Sequence, residues 1–224
     1  MLSELETGLG LEIVRWVQTH NGPLGLLLAQ ALHFMGGGVS YLVLLALFLL
    51  SGRLGRIRRI LRMQNRVDRD RLIKQMIYYA LLTLVITLAL TDLLKTAFDR
   101  PRPYIVAPDQ VMQWVVNTDP RGIPSGHVAM ALSMTAVAVV VLAPGRPRWW
   151  MWAGTVLYAL LMGWARMAVG VHYPQDVVAG LLVGSLSVVL AVQLGRSLWP
   201  RWSALSGWWQ LFTGLLAMVA VVLL

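Results

Sequence analysis

Residues 170–176 read GVHYPQD and join two apolar stretches, so a histidine and an aspartate flank a proline at the edge of a hydrophobic segment. Pro174 suits the first position of a helix, which makes Tyr173 the cap residue and places Asp176 in the first turn, where the helix dipole stabilises a carboxylate. Asp176 can then accept a hydrogen bond from Nδ1 of His172, which leaves the Nε2 lone pair exposed. The spacing predicts a nucleophilic His172 oriented by Asp176. The alternative is a carboxylate that only caps helix N–H groups beside an interfacial histidine.

A second group of charges, in the sequence KTAFDRPRPY, follows another apolar stretch, which ends at Lys95. Pro101 and Pro103 stop the helix there and keep the backbone extended. Arg100 and Arg102 are held on this stiffened backbone, where a guanidinium can make paired hydrogen bonds to phosphate oxygens. The segment therefore predicts an anion site. For any single Lys or Arg, the alternative is a side chain that reaches from a helix end into water.

The sequence PSGH leads directly into a third apolar stretch. Ser125 is suited to cap that helix, and Gly126 lets the backbone approach a ligand closely. Free N–H groups at the start of the helix favour an anion, with His127 beside it. Alone, this pattern is better explained by a capped helix with an interfacial histidine. Arg166, six residues before His172, adds a further cation.

These side chains belong to a chain that is 58% hydrophobic and only 13% charged, with a mean hydropathy of +0.67. Such a composition lies well outside that of soluble globular domains and predicts an integral membrane protein. The absence of cysteine excludes disulfides and thiolate metal sites. The first residues are acidic and lack the pattern of a cleaved signal peptide, so we expect the first membrane segment to be retained.

Six segments are apolar enough to cross roughly 30 Å of hydrocarbon, which takes about 20 helical residues. They lie at about 23–50, 76–94, 126–143, 150–167, 177–195 and 205–224. Residues 8–20 predict a short amphipathic helix at the interface. We therefore expect an all-α, polytopic helical membrane protein with about six transmembrane helices, forming one domain over residues 1–224. The first segment contains three consecutive glycines from Gly36, and we predict one tilted or kinked span, with two shorter helices as the alternative.

The distribution of positive charge predicts the orientation of the chain. Of the 19 Lys and Arg residues, 13 lie in segments 52–75, 144–149 and 196–202, which six spans place on one face. The positive-inside rule makes that face cytoplasmic. Because orientation already accounts for these charges, we expect no nucleic-acid partner, and contact with anionic head groups needs no specific site. The three groups of candidate residues then meet on the extracytoplasmic face.

Taken together, the three groups resemble the signature of the type 2 phosphatidic acid phosphatase superfamily. Its parts appear in order: Lys95 followed by Arg102 and Pro103, then PSGH, then Arg166 followed by His172 and Asp176. The superfamily includes membrane lipid phosphate phosphatases, soluble acid phosphatases and vanadium haloperoxidases. The resemblance covers residues 76–195. One departure is Ala165, where the family often has Ser, which puts one supporting hydrogen bond in doubt but removes no charged group.

The resemblance implies hydrolysis of a phosphomonoester or pyrophosphate through a phosphohistidine, without a metal or other cofactor. His172 would attack phosphorus, oriented by Asp176, and His127 would protonate the leaving oxygen. The groups implied to hold the phosphate oxygens are Lys95, Arg102, Arg166, Ser125 and the Gly126 amide. Fixed cations suit this chemistry, because phosphoryl transfer requires mainly positioning and charge stabilisation.

The implied substrate is a lipid phosphate such as undecaprenyl pyrophosphate, phosphatidylglycerol phosphate or phosphatidic acid. The implied location is a bacterial inner (plasma) membrane, with the site facing the periplasm. One alternative is a phosphatase or phosphotransferase acting on a soluble phosphate or on a lipid A phosphate. Another is an ion-coupled transporter, although of the acidic groups only Asp92 falls inside a predicted span. The sequence carries no signal for an oligomeric state.

Three charged residues near the candidate site have no role in this scheme: Asp92, Asp99 and Arg100. Asp99 stands four residues after Lys95, which favours an ion pair along the helix. His20 and His33 are interpreted as interfacial or packing residues. We expect the loop at 104–123 either to cover the site or to touch the lipid.

Overall fold

The computed structural model describes residues 2–37, 41, 66–143, 145, 147–206, 209, 210, 212, 213 and 216. Within these ranges the chain forms seven helices: α1 (Leu2–His20), α2 (Gly22–Met35), α3 (Arg66–Phe98), α4 (Pro103–Val106), α5 (Gly126–Leu142), α6 (Trp149–Ala168) and α7 (Pro174–Ala204). Strand pairing in the described residues is limited to one isolated bridge, between Pro101 and Arg121. The predicted all-helical class is confirmed for this part of the chain.

Helix α5 lies at the centre of the bundle and contacts α3, α6 and α7. Its buried residues include Val128, Ala129, Met130, Ala131 and Leu132, so consecutive positions face protein in every direction. A helix that is apolar all round is stable only when it is surrounded in this way. Helix α2 packs against α6, and α1 packs against α6 and α7. The first turn of α5 is therefore brought close to the ends of its neighbours.

Two glycines let α7 lie directly against α5. A Cβ on Gly180 would come within 2.7 Å of the Ser125 carbonyl oxygen, and a Cβ on Gly184 within 2.7 Å of the Ala129 carbonyl oxygen. Glycines four residues apart recur where membrane helices approach closely. A hydrogen bond of 2.9 Å from Ser125 N–H to the Asp176 carbonyl continues the contact. The starts of α5 and α7 are thus held together.

Replacing Gly184 with Leu should force α5 and α7 apart and lower the melting temperature of the detergent-solubilised protein. Overpacking a tight contact costs about 1–3 kcal/mol, and here the obstacle is backbone, which cannot rotate aside. Gly154→Leu is the matched control, because a Cβ on Gly154 of α6 meets no atom within 4 Å. Thermal unfolding of both variants measures the difference; equal melting temperatures would contradict the close approach.

Two segments are long and apolar enough to cross a membrane: Asp70–Phe98 within α3, and Pro174–Ala204, which is α7. Helices α2 and α5 are apolar but shorter. Helices cover the four predicted spans from 76–94 to 177–195. Among the described residues, length and composition therefore support two of the six predicted spans, and the last predicted span, at 205–224, lies mostly outside those residues.

Three helix boundaries differ from the predictions. Helix α3 begins at Arg66, ten residues before the predicted span, because charged residues continue a helix beyond an apolar segment at little cost. Helix α1 begins at Leu2 rather than at residue 8. Helix α2 ends at Met35, with Gly36 as its cap, so a break occurs at the glycines. The rest of the predicted first span, except residues 37 and 41, lies outside the described residues.

Candidate active site

The predicted site residues lie at one end of the bundle, where four helices begin or end. Lys95 is in the last turn of α3 and Arg166 in the last turn of α6. Ser125 precedes α5, and Asp176 lies in the first turn of α7. Arg102 precedes α4 with φ −78° and ψ 159°, the extended conformation expected between two prolines. The structure thus brings the three groups of the sequence together.

His172 is buried within this group, with only 1% of its surface exposed. Its Nδ1 lies 3.2 Å from Oδ2 of Asp176, and its Nε2 lies 3.0 Å from Nη1 of Arg102. A guanidinium can only donate hydrogen bonds, so Nε2 is the acceptor and the proton is on Nδ1. Nδ1–H then donates to the carboxylate. This geometry directs the Nε2 lone pair toward the cationic side of the site.

Asp176 is held by the helix start that the sequence predicts. Pro174 is the first residue of α7, Tyr173 is its cap, and the Tyr173 N–H donates to Asp176 Oδ2 at 2.9 Å. Nη1 of Arg100 lies 3.6 Å from the other carboxylate oxygen, and its guanidinium lies 4.4 Å above the Tyr173 ring. Arg100, which the sequence analysis left without a role, therefore pairs with the carboxylate that orients His172.

The surroundings of His172 favour the neutral imidazole. Burial lowers the pKa of His172 well below its usual range, and the positive charges of Arg102, Arg166 and Lys95 lower it further. A neutral imidazole keeps the lone pair that a nucleophile requires. The same cations are in place to stabilise negative charge brought by a ligand.

Lys95 has a partner that the sequence analysis missed. Its Nζ lies 2.6 Å from Oδ2 of Asp119, and Nε of Arg121 lies 3.0 Å from Oδ1 of the same carboxylate. Burial alone would raise the pKa of Asp119, but the hydrogen bonds from Lys95 and Arg121 outweigh it and bring that pKa to about 2. The expected partner, Asp99, instead follows the end of α3 with a left-handed φ of 41°.

Asp119, near the end of the loop at 104–123, contacts two predicted site residues, so this part of the loop lies against the site. Nε of Arg102 donates to the Asp119 carbonyl oxygen at 2.7 Å, and Nζ of Lys95 contacts the Asp119 side chain. The loop thus contacts two candidate phosphate-binding residues, one through its backbone and one through a side chain. Arg121 ties the loop to α3 through Asp92, with 3.1 Å between Nη2 and Oδ1. Residues 119–121 thus form a charged clasp over the end of α3.

A cavity of about 190 Å³ opens between this clasp and α5. Its volume is several times the roughly 30 Å³ that a water molecule occupies in the liquid. The predicted site residues that line it are Lys95, Gly126 and His127, and Asp92 and Asp119 contribute the acidic part. Ser125 caps α5 by its backbone position alone, and its buried Oγ has no hydrogen-bond partner among the described residues. That hydroxyl is therefore an unused hydrogen-bonding group at the start of α5.

A family model describes the central part of the chain. The model of the PAP2 superfamily matches residues 77–200, which is more than half of the sequence. The chain belongs to the PAP2 superfamily. The resemblance to type 2 phosphatidic acid phosphatases is therefore confirmed, over nearly the range that the sequence signature covers.

Known proteins of similar sequence and structure agree with this PAP2 assignment. An undecaprenyl-diphosphatase of Sulfolobus acidocaldarius is 35% identical over 114 residues, 50% of this chain and 52% of that protein. Undecaprenyl-diphosphatase BcrC of Bacillus subtilis is 30% identical over 107 residues, 48% of this chain and 51% of that protein. The chain thus spans about half the length of the curated relatives it matches. The crystal structure of Aquifex aeolicus LpxE matches with a TM-score of 0.56 and 28% identity, covering 82% of this chain and 94% of that chain.

A third histidine reaches the site from outside the PAP2 match. His33, on α2, accepts a hydrogen bond at Nδ1 from Nη1 of Arg166. Its ring also stacks on that of His127, with 5.1 Å between centroids and 14° between planes. Interpretation of His33 as a packing or interfacial residue missed this position. The available signal was an ionisable side chain within an otherwise apolar helix, which is costly unless it has a partner.

Proposed function

We propose that this PAP2 protein is a membrane-embedded lipid phosphatase that hydrolyses a phosphomonoester or diphosphate through a phosphohistidine at His172. The observation that carries the proposal is the pair of contacts at His172, Nδ1 to Asp176 and Nε2 to Arg102. They give His172 the tautomer that a nucleophile needs, and they place a cation beside the phosphate that His172 would attack. Family membership and the names of the relatives support a phosphatase over other uses of the same charges.

In the first step, Nε2 of His172 leaves its hydrogen bond with Arg102 and attacks phosphorus. The P–N bond forms as the bond from phosphorus to the leaving oxygen breaks. His127, protonated in the complex with the anionic phosphate, gives that proton to the leaving oxygen and becomes neutral. Lys95, Arg102 and Arg166 stabilise the equatorial oxygens through charge-assisted hydrogen bonds. The products are the phosphoenzyme and either a lipid alcohol or a lipid monophosphate.

In the second step, water attacks the phosphohistidine. Neutral His127 accepts a proton from the water, a P–O bond forms, and the P–N bond breaks to release inorganic phosphate. Splitting one difficult displacement into two is the advantage of a covalent intermediate. Throughout, Asp176 stabilises the positive charge that develops on His172 while its Nε2 carries phosphorus.

Among lipid phosphates, undecaprenyl diphosphate is the first candidate, because two relatives are named as undecaprenyl-diphosphatases. Phosphatidylglycerol phosphate, phosphatidic acid and a lipid A phosphate present the same chemical group. We place the site on the extracytoplasmic face of the inner membrane, since the Arg-rich segment at 52–75 favours the cytoplasm. An ion relay is disfavoured, because Asp92 pairs with Arg121 at the site end of α3.

The proposal is tested by phosphate release from purified protein supplied with a panel of lipid and soluble phosphates. We expect turnover of at least one lipid phosphate, inhibition by vanadate, and no loss of activity with a chelator. Absence of release across the lipid panel would refute the proposed function. Turnover restricted to soluble phosphates would support the proposed chemistry but exclude lipid phosphates as the substrate. Strict dependence on added magnesium would exclude the metal-free mechanism.

Asp119 should compete with the substrate phosphate for Lys95. Replacing Asp119 with Asn removes the charge that neutralises Lys95, so we expect the inhibition constant for vanadate to fall about fivefold, equivalent to roughly 1 kcal/mol for a partly exposed ion pair. Because the pKa of Asp119 is about 2, the carboxylate stays charged in the wild type across neutral and mildly acidic pH, and the effect should not change between pH 5 and 8.

Asp109→Asn, an exposed change in the same loop, is the control for Asp119→Asn. It removes one negative charge at a position where the carboxylate is not part of the clasp, and should leave the vanadate inhibition constant unchanged. Weaker inhibition in the Asp119 variant would show instead that this carboxylate positions Lys95 for the phosphate.

A further inference from the structure

We infer that His33 is a positioning residue of this site: it holds the guanidinium of Arg166 and the ring of His127 in place for phosphoryl transfer. The inference rests on the proposed function. It concerns a residue on α2 (Gly22–Met35), outside residues 77–200 that the PAP2 superfamily matches. Three observations support it: the direction of one hydrogen bond, the burial of the arginine, and the packing of α2 on His127.

The direction of the hydrogen bond between His33 and Arg166 is fixed by chemistry. A guanidinium has donors only, so Nδ1 of His33 must accept, and the His33 proton must lie on Nε2. This imidazole is therefore neutral, with a lone pair directed at Arg166. An acceptor on a neutral ring can fix a cation without cancelling the charge that a phosphate needs, whereas a carboxylate would cancel it.

Burial explains why Arg166 needs such a partner. The residue is 1% exposed, and its Nε has no hydrogen-bond partner among the described residues. A buried charged group that lacks acceptors is costly. Among the described residues, His33 supplies the acceptor for a side-chain hydrogen bond of Arg166. Without that acceptor, any arrangement that gives the guanidinium another hydrogen bond would be favoured over the one that faces the phosphate.

The end of α2 also packs directly on His127. The two imidazole rings stack nearly parallel, at 14°. A Cβ on Gly36 would come within 2.8 Å of Cδ2 of His127, so the backbone that follows α2 touches the same ring. His33 and Gly36 thus limit the orientation of His127 from one side. Because His127 must transfer a proton in line with the leaving oxygen, its ring orientation affects the rate.

Two substitutions separate a hydrogen-bond acceptor from a space-filling ring. His33→Phe keeps a stacked ring but removes the acceptor, and His33→Asn keeps an acceptor oxygen near the Nδ1 position but removes the ring. If His33 positions Arg166, the Phe variant should lose about 10- to 100-fold in kcat/KM, the scale of a lost hydrogen bond to a charged group. Vanadate inhibition, which depends on Arg166, should weaken in the Phe variant and return in the Asn variant. The kcat/KM of the Asn variant should stay below that of wild type, because the ring that stacks on His127 is lost.

A residue that only fills space gives the opposite order, with Phe tolerated and Asn impaired. That order in vanadate inhibition, equally weakened vanadate inhibition in both variants, or a Phe variant with a kcat/KM within twofold of wild type would each overturn the inference. His20→Phe is the matched control, because His20 is exposed at the end of α1 and should leave kcat/KM unchanged. Activities are compared per amount of monodisperse protein in detergent. If either variant aggregates, His33→Leu and His33→Gln replace the pair: both lack the ring, and of the two only Gln carries an acceptor oxygen.

The same assays distinguish a failure of the proposed function from a failure of the role inferred for His33. Wild-type protein that releases no phosphate from any lipid phosphate refutes the proposed function, and the inference falls with it. Wild-type protein that is active while the Phe variant keeps its full kcat/KM leaves the proposed function standing and removes His33 from the site.

Discussion

His172→Gln should abolish phosphate release from lipid phosphates while leaving the protein folded. Glutamine has a similar volume, and its amide can accept from Arg102 and donate to Asp176, which are the two contacts of the imidazole. It cannot form a stable bond to phosphorus. We expect a loss of at least about a thousandfold in kcat, since removal of a nucleophile leaves only the catalysis that binding and charge stabilisation provide.

A covalent intermediate allows a more direct measurement than turnover. Wild-type protein mixed with radiolabelled lipid phosphate and quenched in base should retain label on histidine, and the Gln variant should retain none. His20→Gln makes the same chemical change at an exposed histidine and should behave as wild type. Turnover by the His172 variant at a tenth of the wild-type rate or more would mean that another group attacks phosphorus.

The parts of the site that the sequence predicts are those with local geometry. Pro174 at the first helical position, Tyr173 as the cap and Asp176 reaching back to His172 all follow from helix geometry within five residues, and the structure has each of them. The extended backbone at Arg102 follows equally from its flanking prolines. Local rules suffice here because steric restriction by proline and the dipole of a helix start act within one turn.

The parts that the sequence does not predict depend on packing between distant segments. Lys95 takes Asp119, 24 residues away, rather than the Asp99 that helical spacing favours. His33 meets Arg166 across 133 residues. Spacing rules carry no information about such contacts, because they depend on how α2, α3 and α6 pack around α5. The spacing rule that pairs Lys95 with Asp99 assumes that both residues lie in one helix, whereas α3 ends at Phe98.

Close helix packing explains why residues so far apart can form one site. The contact of Gly180 and Gly184 with α5 sets the distance between the starts of α5 and α7, and so the distance between PSGH and the pair of His172 and Asp176. Small residues at this interface are therefore as necessary to the geometry as the charged residues themselves. The charged signature identifies the family, while the packing that supports it is spread over apolar positions.

Asp176→Asn should lower kcat by about 10²- to 10⁴-fold with little change in KM, the scale of replacing by an amide the carboxylate that is paired with a catalytic histidine. The Tyr173 N–H and Nδ1 of His172 both approach Oδ2, so an Asn Oδ1 at that position keeps the cap of α7 and the tautomer of His172. Its amide NH2 then lies at the position of the other oxygen, beside the Arg100 guanidinium, which is also a donor. The variant loses the negative charge that stabilises the positively charged phosphohistidine. The cations remain in place, so substrate binding should change little.

Steady-state kinetics on the folded variant decide between this role and the alternative in which Asp176 only caps a helix. A role limited to capping predicts a nearly unchanged kcat and a nearly unchanged melting temperature, because the Asn Oδ1 can accept from the Tyr173 N–H as the carboxylate does. A catalytic role predicts that the melting temperature is retained and kcat is reduced. Asp109→Asn, which removes an exposed carboxylate, should affect neither quantity. A kcat within tenfold of wild type would mean that the negative charge of Asp176 does not support phosphoryl transfer.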